Sequence, residues 1–229
     1  MPLPATIPLP GGLAMPAIGL GTFRSRGQEA ADAVGWALAA GYRHIDTASI
    51  YKNEEEVGAA IRASGIPREQ ASQLFITSKV SPYQQGTEAA TAACEASLRL
   101  LGTYIDLMLV HWPGVAKVDA ASPDNAALRR QTWRVLEQFQ RQGQLRAIGV
   151  SNYELRHLEE LLQYAEIKPG VLLRGCGVLP KSVQRQRIEE VAPSRLAECG
   201  ELSPEGLAAL DALEEQQQCK YCWDPSAIA

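Results

Sequence analysis

The sequence has little of what marks several large classes of protein. No apolar run approaches the roughly 18 residues that a membrane span requires. The formal net charge of -4 leaves no basic excess of the kind that nucleic-acid-binding proteins carry. The first residues are rich in proline and lack the basic and apolar regions of a secretory signal. We therefore expect a cytoplasmic protein that binds neither a membrane nor nucleic acid.

Cysteine and histidine are both scarce. Five cysteines, an odd number at low density, indicate a reduced intracellular protein rather than one stabilised by disulfides. Cys219 and Cys222 form a C-x-x-C pair that could be half of a metal or redox site, but no second pair at zinc spacing accompanies it, and two free thiols are the simpler interpretation. Of the three histidines, His44, His111 and His157, the last lies in a helical pattern, which disfavours a hydrolase metal centre. We expect no metal ion.

The two common glycine-rich nucleotide fingerprints are also missing. Gly19 and Gly21 match the first two glycines of G-x-G-x-x-G, but Arg24 occupies the third position. No G-x-x-x-x-G-K-[ST] segment is present. A nucleotide, if one binds, must therefore be held by another arrangement.

Short apolar runs alternate with helical patterns, which is typical of a parallel sheet or barrel. A Pro-Gly-Gly turn predicts a β-hairpin within residues 1–16. Five strand–helix units are then predicted between residues 17 and 165. The strands are 17–22, 42–48, 74–80, 104–112 and 145–150; the helices are 28–40, 53–64 with Asn53 as N-cap, 87–101, 123–142 with Pro123 at the first helical position, and one beginning near 155.

The alternation becomes irregular after residue 165. Short strands are predicted at 171–176 and 177–181, a helical piece near 185–190, and a last helix from Ser203, before a tail at 216–229. About six strands are present in the alternating series, whereas a closed barrel needs eight. The expected fold of residues 1–229 is therefore a single α/β domain, a TIM-type (β/α) barrel that is incomplete.

Four polar residues lie at or just after the carboxyl ends of consecutive predicted strands: Asp46, Tyr51, Lys79 and His111. In a barrel these ends meet at the mouth where such folds place their active sites. Taken singly, each residue has a structural explanation: an Asp46–Lys79 ion pair, Tyr51 as a rim aromatic, and His111 packed beside Trp112. Together, at consecutive strand ends, they favour a functional site.

Five segments around these positions resemble, in order and spacing, the motifs of the aldo-keto reductase family. They are GYRHIDTASIYKNEEEVGAAI, LFITSKV, DLMLVHWPG, AIGVSNY and VLPKSVQRQRI. The resemblance implies a (β/α)8-barrel oxidoreductase that reduces a small aldehyde or ketone to an alcohol with NADPH, and a monomer is expected.

The resemblance also implies a role for each residue of the site. Tyr51 would donate a proton to the carbonyl oxygen, and His111 would orient the carbonyl. Lys79 would lower the pKa of the Tyr51 phenol, and Asp46 would keep Lys79 charged. His111 and Trp112 would contact the substrate.

Seven further positions match residues with which the family binds its cofactor. They are Gly21 and Thr22 near the nicotinamide ribose, Ser151 and Asn152 at the carboxamide, and Lys181, Ser182 and Arg187 at the 2′-phosphate. Forked, cationic side chains suit a phosphate dianion. Without the motif, Lys181 and Arg187 could equally be the basic end of a solvated helix.

The chain departs from the family pattern after residue 170. It passes from IKPGV to LLRGCGVLPKS without the strands of N-Q-x-E and A-Y-S-P-L type that the family has there. Val191 replaces a usual asparagine at the adenine, and residues 71–73 resemble a short insertion. One hypothesis is a working reductase on a smaller barrel. The other is a truncated, inactive isoform or a binding or regulatory remnant, which we expect for the chain as written because lost strands expose sheet edges.

Overall fold

The computed structural model describes residues 6–68, 74–170, 179–198, 225 and 228–229. The chain begins with an antiparallel hairpin of β1 (Thr6–Leu9) and β2 (Leu13–Pro16) around a turn at Pro10–Gly12. Gly11 and Gly12 have φ angles of 79° and 77°, which glycine adopts without steric cost. The predicted hairpin is therefore confirmed.

A parallel five-stranded sheet follows, with its strands hydrogen-bonded in chain order. The strands are β3 (Leu20–Gly21), β4 (His44–Asp46), β5 (Phe75–Val80), β6 (Ile105–Val110) and β7 (Leu145–Val150). The helices are α1 (Gly27–Ala39), α2 (Glu54–Ala63), α3 (Thr87–Leu101), α4 (Asp124–Arg141), α5 (Leu155–Tyr164), α6 (Arg185–Glu190) and α7 (Pro193–Glu198). All five predicted strand–helix units are confirmed, as is the helical piece at 185–190. The short α7 was not predicted, and the helix predicted from Ser203 lies outside the described residues.

Two helix starts differ in detail from the prediction. Pro123 is the N-cap of α4 rather than its first helical residue. Asn53 is the N-cap residue of α2, but its side chain makes no capping hydrogen bond. Its amide instead donates to the main-chain oxygens of Thr22 (2.9 Å) and Ser25 (3.0 Å), and its oxygen accepts from the Thr47 hydroxyl. Asn53 therefore ties together the segments that follow β3 and β4.

The described strands do not close into a barrel, and β3 and β7 are the edges of the sheet. The strand predicted at 171–176 lies outside the described residues. The described part of the strand predicted at 177–181 is not a strand, so that prediction is wrong there. Pro180 accepts a hydrogen bond from Gly21 N (3.0 Å) but, being proline, has no N–H to extend a ladder.

Two apolar clusters cover the sheet. The larger packs the helices against the strands around fully buried Trp133, and the smaller joins the hairpin residues Leu9 and Met15 to Phe75 and Leu107. Phe75 begins β5, so the hairpin lies at the amino ends of the strands. The carboxyl ends remain available for a site.

A buried carboxylate stabilises the amino end of β6. Asp106 forms ion pairs with Arg68 (2.8 Å) and Arg146 (3.1 Å) and accepts a hydrogen bond from Ile76 N (2.9 Å). The guanidinium of Arg68 also stacks on the Tyr104 ring, 4.2 Å from its centroid. Because the Asp106 side chain is fully removed from water, its charge depends on these partners.

We expect Asp106→Ala to lower the free energy of unfolding by about 3–5 kcal/mol, because it leaves two partly buried arginines without their counter-charge. Urea denaturation followed by circular dichroism measures the change. Glu159→Ala removes the same charge from an exposed position on α5 and should stay within about 0.5 kcal/mol of the wild type. An Asp106→Ala loss no larger than that of the control would contradict this account of the cluster.

Candidate active site

The predicted ion pair between Lys79 and Asp46 is present. The register of β4 and β5 pairs Asp46 with Thr77, and Lys79 lies two residues further along on the same face of the sheet. Lys79 Nζ donates to Asp46 Oδ1 (2.6 Å) and to the main-chain oxygen of Thr47 (2.8 Å). The two side chains are only 8% and 10% exposed. Each charge therefore depends on the other.

Tyr51 lies beside this pair on the 3₁₀ turn Ser49–Tyr51 that follows β4. The Ser49 hydroxyl donates to the main-chain oxygen of Lys79 (2.9 Å), which ties the turn to β5. Lys79 Nζ lies 5.2 Å from the centroid of the Tyr51 ring, and the His111 ring lies 5.8 Å away in an edge-on arrangement. The exposed ring of Phe23 lies 5.2 Å away at the rim. The structure thus brings Asp46, Tyr51, Lys79 and His111 together.

His111 and Trp112 directly follow β6. His111 N donates to Val80 O (3.0 Å), which ties the start of this segment to the end of β5. Burial, followed by the nearby charge of Lys79, lowers the pKa of His111 to about 4. The imidazole is therefore neutral at neutral pH, and one of its nitrogens can donate a hydrogen bond while the other accepts. Its Nδ1 is buried and makes no hydrogen bond with the described residues.

The expectation that the pKa of Tyr51 lies below its ordinary value is wrong for this structure. Burial, with a smaller contribution from the Asp46 charge, raises the pKa of Tyr51. Burial thus outweighs any stabilisation of the phenolate by the Lys79 ammonium, which is itself paired with Asp46 at 2.6 Å. The phenol therefore keeps its proton at neutral pH, which is the state that a proton donor needs.

The pKa of Lys79 responds to opposing influences. Burial lowers it, whereas Asp46, and to a smaller extent Glu54, raise it. Glu54 is buried behind β5, where it accepts hydrogen bonds from the hydroxyls of Ser78 (2.6 Å) and Ser97 (3.0 Å). The positive charge at the site is thus supported mainly by Asp46.

Ser151 and Asn152 follow β7 at the same mouth. Asn152 has a left-handed backbone (φ 62°), and its amide donates to the main-chain oxygen of His111 (2.9 Å) and to the Ser151 hydroxyl (3.0 Å). Thr22 is buried, and its hydroxyl donates to the main-chain oxygen of Asp46 (3.0 Å). In this structure the Thr22 side chain therefore joins β3 to β4.

The predicted phosphate-binding residues lie near the β3 edge. A Cβ placed on Gly21 would lie 3.8 Å from Lys181 Cβ, so these two positions are adjacent. Ser182 accepts a hydrogen bond from Gln184 N (3.1 Å) just before α6. Arg187 is exposed on α6 and has no ion-pair or hydrogen-bond partner among the described residues, whereas Arg185 pairs with Glu189 (2.7 Å).

Tyr42, which sequence reasoning did not single out, holds α6 in place. Its hydroxyl lies within hydrogen-bond distance of the main-chain oxygens of Ile188 (3.2 Å) and Val191 (2.8 Å), more than 140 residues away. The sequence gives one signal for this contact: Tyr42, an aromatic residue with a polar hydroxyl, follows Gly41 just after α1.

A cavity of ≈ 320 Å³ lies inside the curve of the sheet. Asp46 and Asn152 line it at the mouth, His44 and Thr77 line one wall, and Leu9 lies at its hairpin end. Among the described residues, no group of three or more His, Cys, Asp or Glu side chains is arranged to hold a metal ion. No helix in the described part of the chain is long and apolar enough to cross a membrane.

Comparison with known proteins gives matches along most of the chain. The model of the Aldo/keto reductase family matches residues 17–213. A glyoxal reductase of Bacillus subtilis (strain 168) is 51% identical over 168 residues, which are 72% of this chain and 56% of that protein. A 9,11-endoperoxide prostaglandin H2 reductase of Trypanosoma cruzi (strain CL Brener) is 49% identical over 69% of this chain and 51% of that protein. The chain spans about half the length of these curated relatives.

A solved structure covers the chain more fully. MGS-M4, an aldo-keto reductase enzyme from a Medee basin deep-sea metagenome library, is 30% identical with a TM-score of 0.81, covering 98% of this chain and 100% of that one. The family match, the sequence identities and this structural likeness agree. The chain belongs to the aldo/keto reductase family, whose (β/α) barrel includes the parallel strands described here.

Proposed function

We propose that this chain reduces aldehydes or ketones to alcohols with NADPH, and that Tyr51 is the general acid. The observation that carries the proposal is the placement of the Tyr51 ring beside both the buried Lys79–Asp46 ion pair and His111. Relatives named as a glyoxal reductase and an aldehyde reductase support carbonyl reduction as the class of reaction.

In the proposed reaction, Tyr51 gives its proton to the carbonyl oxygen as the carbon is reduced, so an alcohol forms and a phenolate remains. The ammonium of Lys79 offsets the new negative charge, and Asp46 keeps that ammonium protonated despite its burial. Neutral His111 donates a hydrogen bond that orients the carbonyl oxygen. Solvent then returns a proton to Tyr51.

NADPH, when bound, would supply the hydride. Ser151 and Asn152 would hold the carboxamide beside His111, and Lys181, Ser182 and Arg187 would hold the 2′-phosphate. The donor set fits a phosphate dianion, because Lys181 and Arg187 are exposed cations and Arg187 has no ion-pair partner among the described residues.

A second candidate is an inactive remnant that binds cofactor or a partner without turnover. One observation favours it: the five described strands form an open sheet. A cytoplasmic location and a monomeric state stay predictions.

We expect Tyr51→Phe to reduce the turnover of a small aldehyde by about 10²- to 10⁴-fold, because it removes the proton donor and leaves the ring in place. Steady-state kinetics with NADPH measure the loss. Tyr83→Phe removes a hydroxyl from another tyrosine, 66% exposed, and should keep wild-type turnover. Equal rates for Tyr51→Phe and the wild type would exclude Tyr51 as the acid.

We expect Arg187→Ala to weaken NADPH binding by roughly 10- to 100-fold, because a hydrogen bond to a charged group contributes about 1.5–3 kcal/mol. Binding of NADH, which lacks the 2′-phosphate, should hardly change. Arg185→Ala on the same helix removes a cation that pairs with Glu189, so it is the matched control. Fluorescence titration measures both cofactors. A similar loss for NADH, or in the control, would show that Arg187 does not read the phosphate.

We expect Asp46→Asn to move the basic limb of the kcat/KM pH profile to lower pH. The Asp46 charge raises the pKa of Lys79 and that of Tyr51, so its removal lowers both, and each group loses its proton sooner as the pH rises. Rates between pH 6 and about 10.5 test this. Asp32→Asn, a change on α1 far from the site, is the control. A basic limb that stays at the wild-type pH, or moves to higher pH, would contradict the account.

A further inference from the structure

Trp112 belongs to the loop that follows β6, and buried side chains hold the main chain of this loop. Gln85 Nε2 donates to the main-chain oxygens of Trp112 and Gly114 (2.9 Å each). Arg129 Nη1, on α4, donates to the main-chain oxygen of Pro113 (2.9 Å). All three carbonyls after His111 are thus fixed by side chains that are themselves out of contact with water.

Residues 228–229 pack against the outer side of this loop. Ala229 N donates to the main-chain oxygen of Ala120 (2.7 Å), and Arg129 Nη1 also donates to the main-chain oxygen of Ala229 (2.7 Å). Arg129 is 1% exposed and pairs with Glu160 on α5. A single buried guanidinium therefore joins the loop, α5 and residue 229.

His157 on α5 adds a directional contact. Glu154 N donates to His157 Nδ1 (3.1 Å), so Nδ1 carries no proton and Nε2 does. Nε2 then donates to the main-chain oxygen of Ile228 (3.0 Å). The hydrogen bonds of residues 228 and 229 thus involve α4, α5 and the loop after β6.

The side chain of Ile228 covers Gly114. A Cβ placed on Gly114 would lie 2.8 Å from Ile228 Cδ1, 3.3 Å from Cγ1 and 3.5 Å from Cγ2. An alanine at 114 would force Ile228 Cδ1 to move, and the stiff χ1 angle of a β-branched side chain limits how Ile228 can rearrange. The contact lies two residues from Trp112 and three from His111.

We propose that Ile228 and Arg129 are positioning residues for the substrate side of the site: they fix the 112–120 loop and, through it, the place of Trp112. Neither is placed to touch a reacting atom. The consequence for catalysis rests on the proposed reductase function, whereas the ordering of the loop does not.

Hydrogen exchange measures the ordering of the loop directly. The amides of Val115, Ala116 and Val118 are hydrogen-bonded in the structure and report on it. Ile228→Ala should speed their exchange and leave the amides of β5 unchanged, whereas Ile228→Val should preserve protection. Leu162→Ala, which shortens an exposed leucine on α5, is the control. Unchanged exchange in Ile228→Ala would overturn the proposal, whether or not the protein is an enzyme.

A double-mutant cycle tests the consequence for catalysis. Gly114→Ala alone should raise the KM of the carbonyl substrate about threefold to tenfold, within the coupling range of contacting residues, with a smaller change in kcat. In the Ile228→Ala variant, which has room for the added methyl group, Gly114→Ala should raise the KM by a smaller factor. Strictly additive effects on KM would overturn the positioning role. If the wild type shows no turnover but Ile228→Ala speeds exchange, the proposed function fails and the loop contact stands.

Discussion

The site depends on one electrostatic constraint, the buried pair of Lys79 and Asp46. A buried charge without a partner is strongly unfavourable, so the two side chains hold each other at the ends of adjacent strands. The Lys79 ammonium also donates to the main-chain oxygen of Thr47, and the main-chain oxygen of Lys79 accepts a hydrogen bond from the Ser49 hydroxyl. These contacts fix the turn that carries Tyr51. Burial, with a smaller contribution from this positive charge, lowers the pKa of His111. One ion pair thus contributes to the position or the protonation state of both Tyr51 and His111.

The two ends of the sheet have different roles. At the amino end, the hairpin and the Asp106 cluster fill space and neutralise charge. At the carboxyl end, polar side chains meet, and two of them, Asp46 and Asn152, also line the cavity that reaches toward the hairpin. Long-range hydrogen bonds attach late parts of the chain to the first two strands: Gly21 N donates to Pro180 O, and the hydroxyl of Tyr42, just before β4, donates to Val191 O at the end of α6. Lys181, a basic residue late in the sequence, therefore lies next to β3, the first strand of the parallel sheet.

The strand–helix units and the gathering of Asp46, Tyr51, Lys79 and His111 could be predicted from sequence, because periodicity and strand order decide them. The sign of the Tyr51 pKa shift could not, because it depends on how far the folded chain buries the phenol and on the nearby charge of Asp46. The contacts of Asn53, Tyr42 and Arg129 were equally hidden, since each joins segments distant in the chain. Motif resemblance predicts the cofactor residues, but only the structure shows that the Thr22 hydroxyl donates to the main-chain oxygen of Asp46.

The central claim is that this chain, with five described parallel strands, forms a folded site that binds NADPH. Thermal unfolding followed by near-UV circular dichroism, with and without NADPH, tests it most directly, because a ligand that binds only the folded state raises stability by mass action. The account predicts one cooperative transition that moves to higher temperature, with a gain of about 2.7 kcal/mol when NADPH is at 100 times its Kd. A cooperative transition that millimolar NADPH leaves unmoved, or the absence of any cooperative transition, would contradict it.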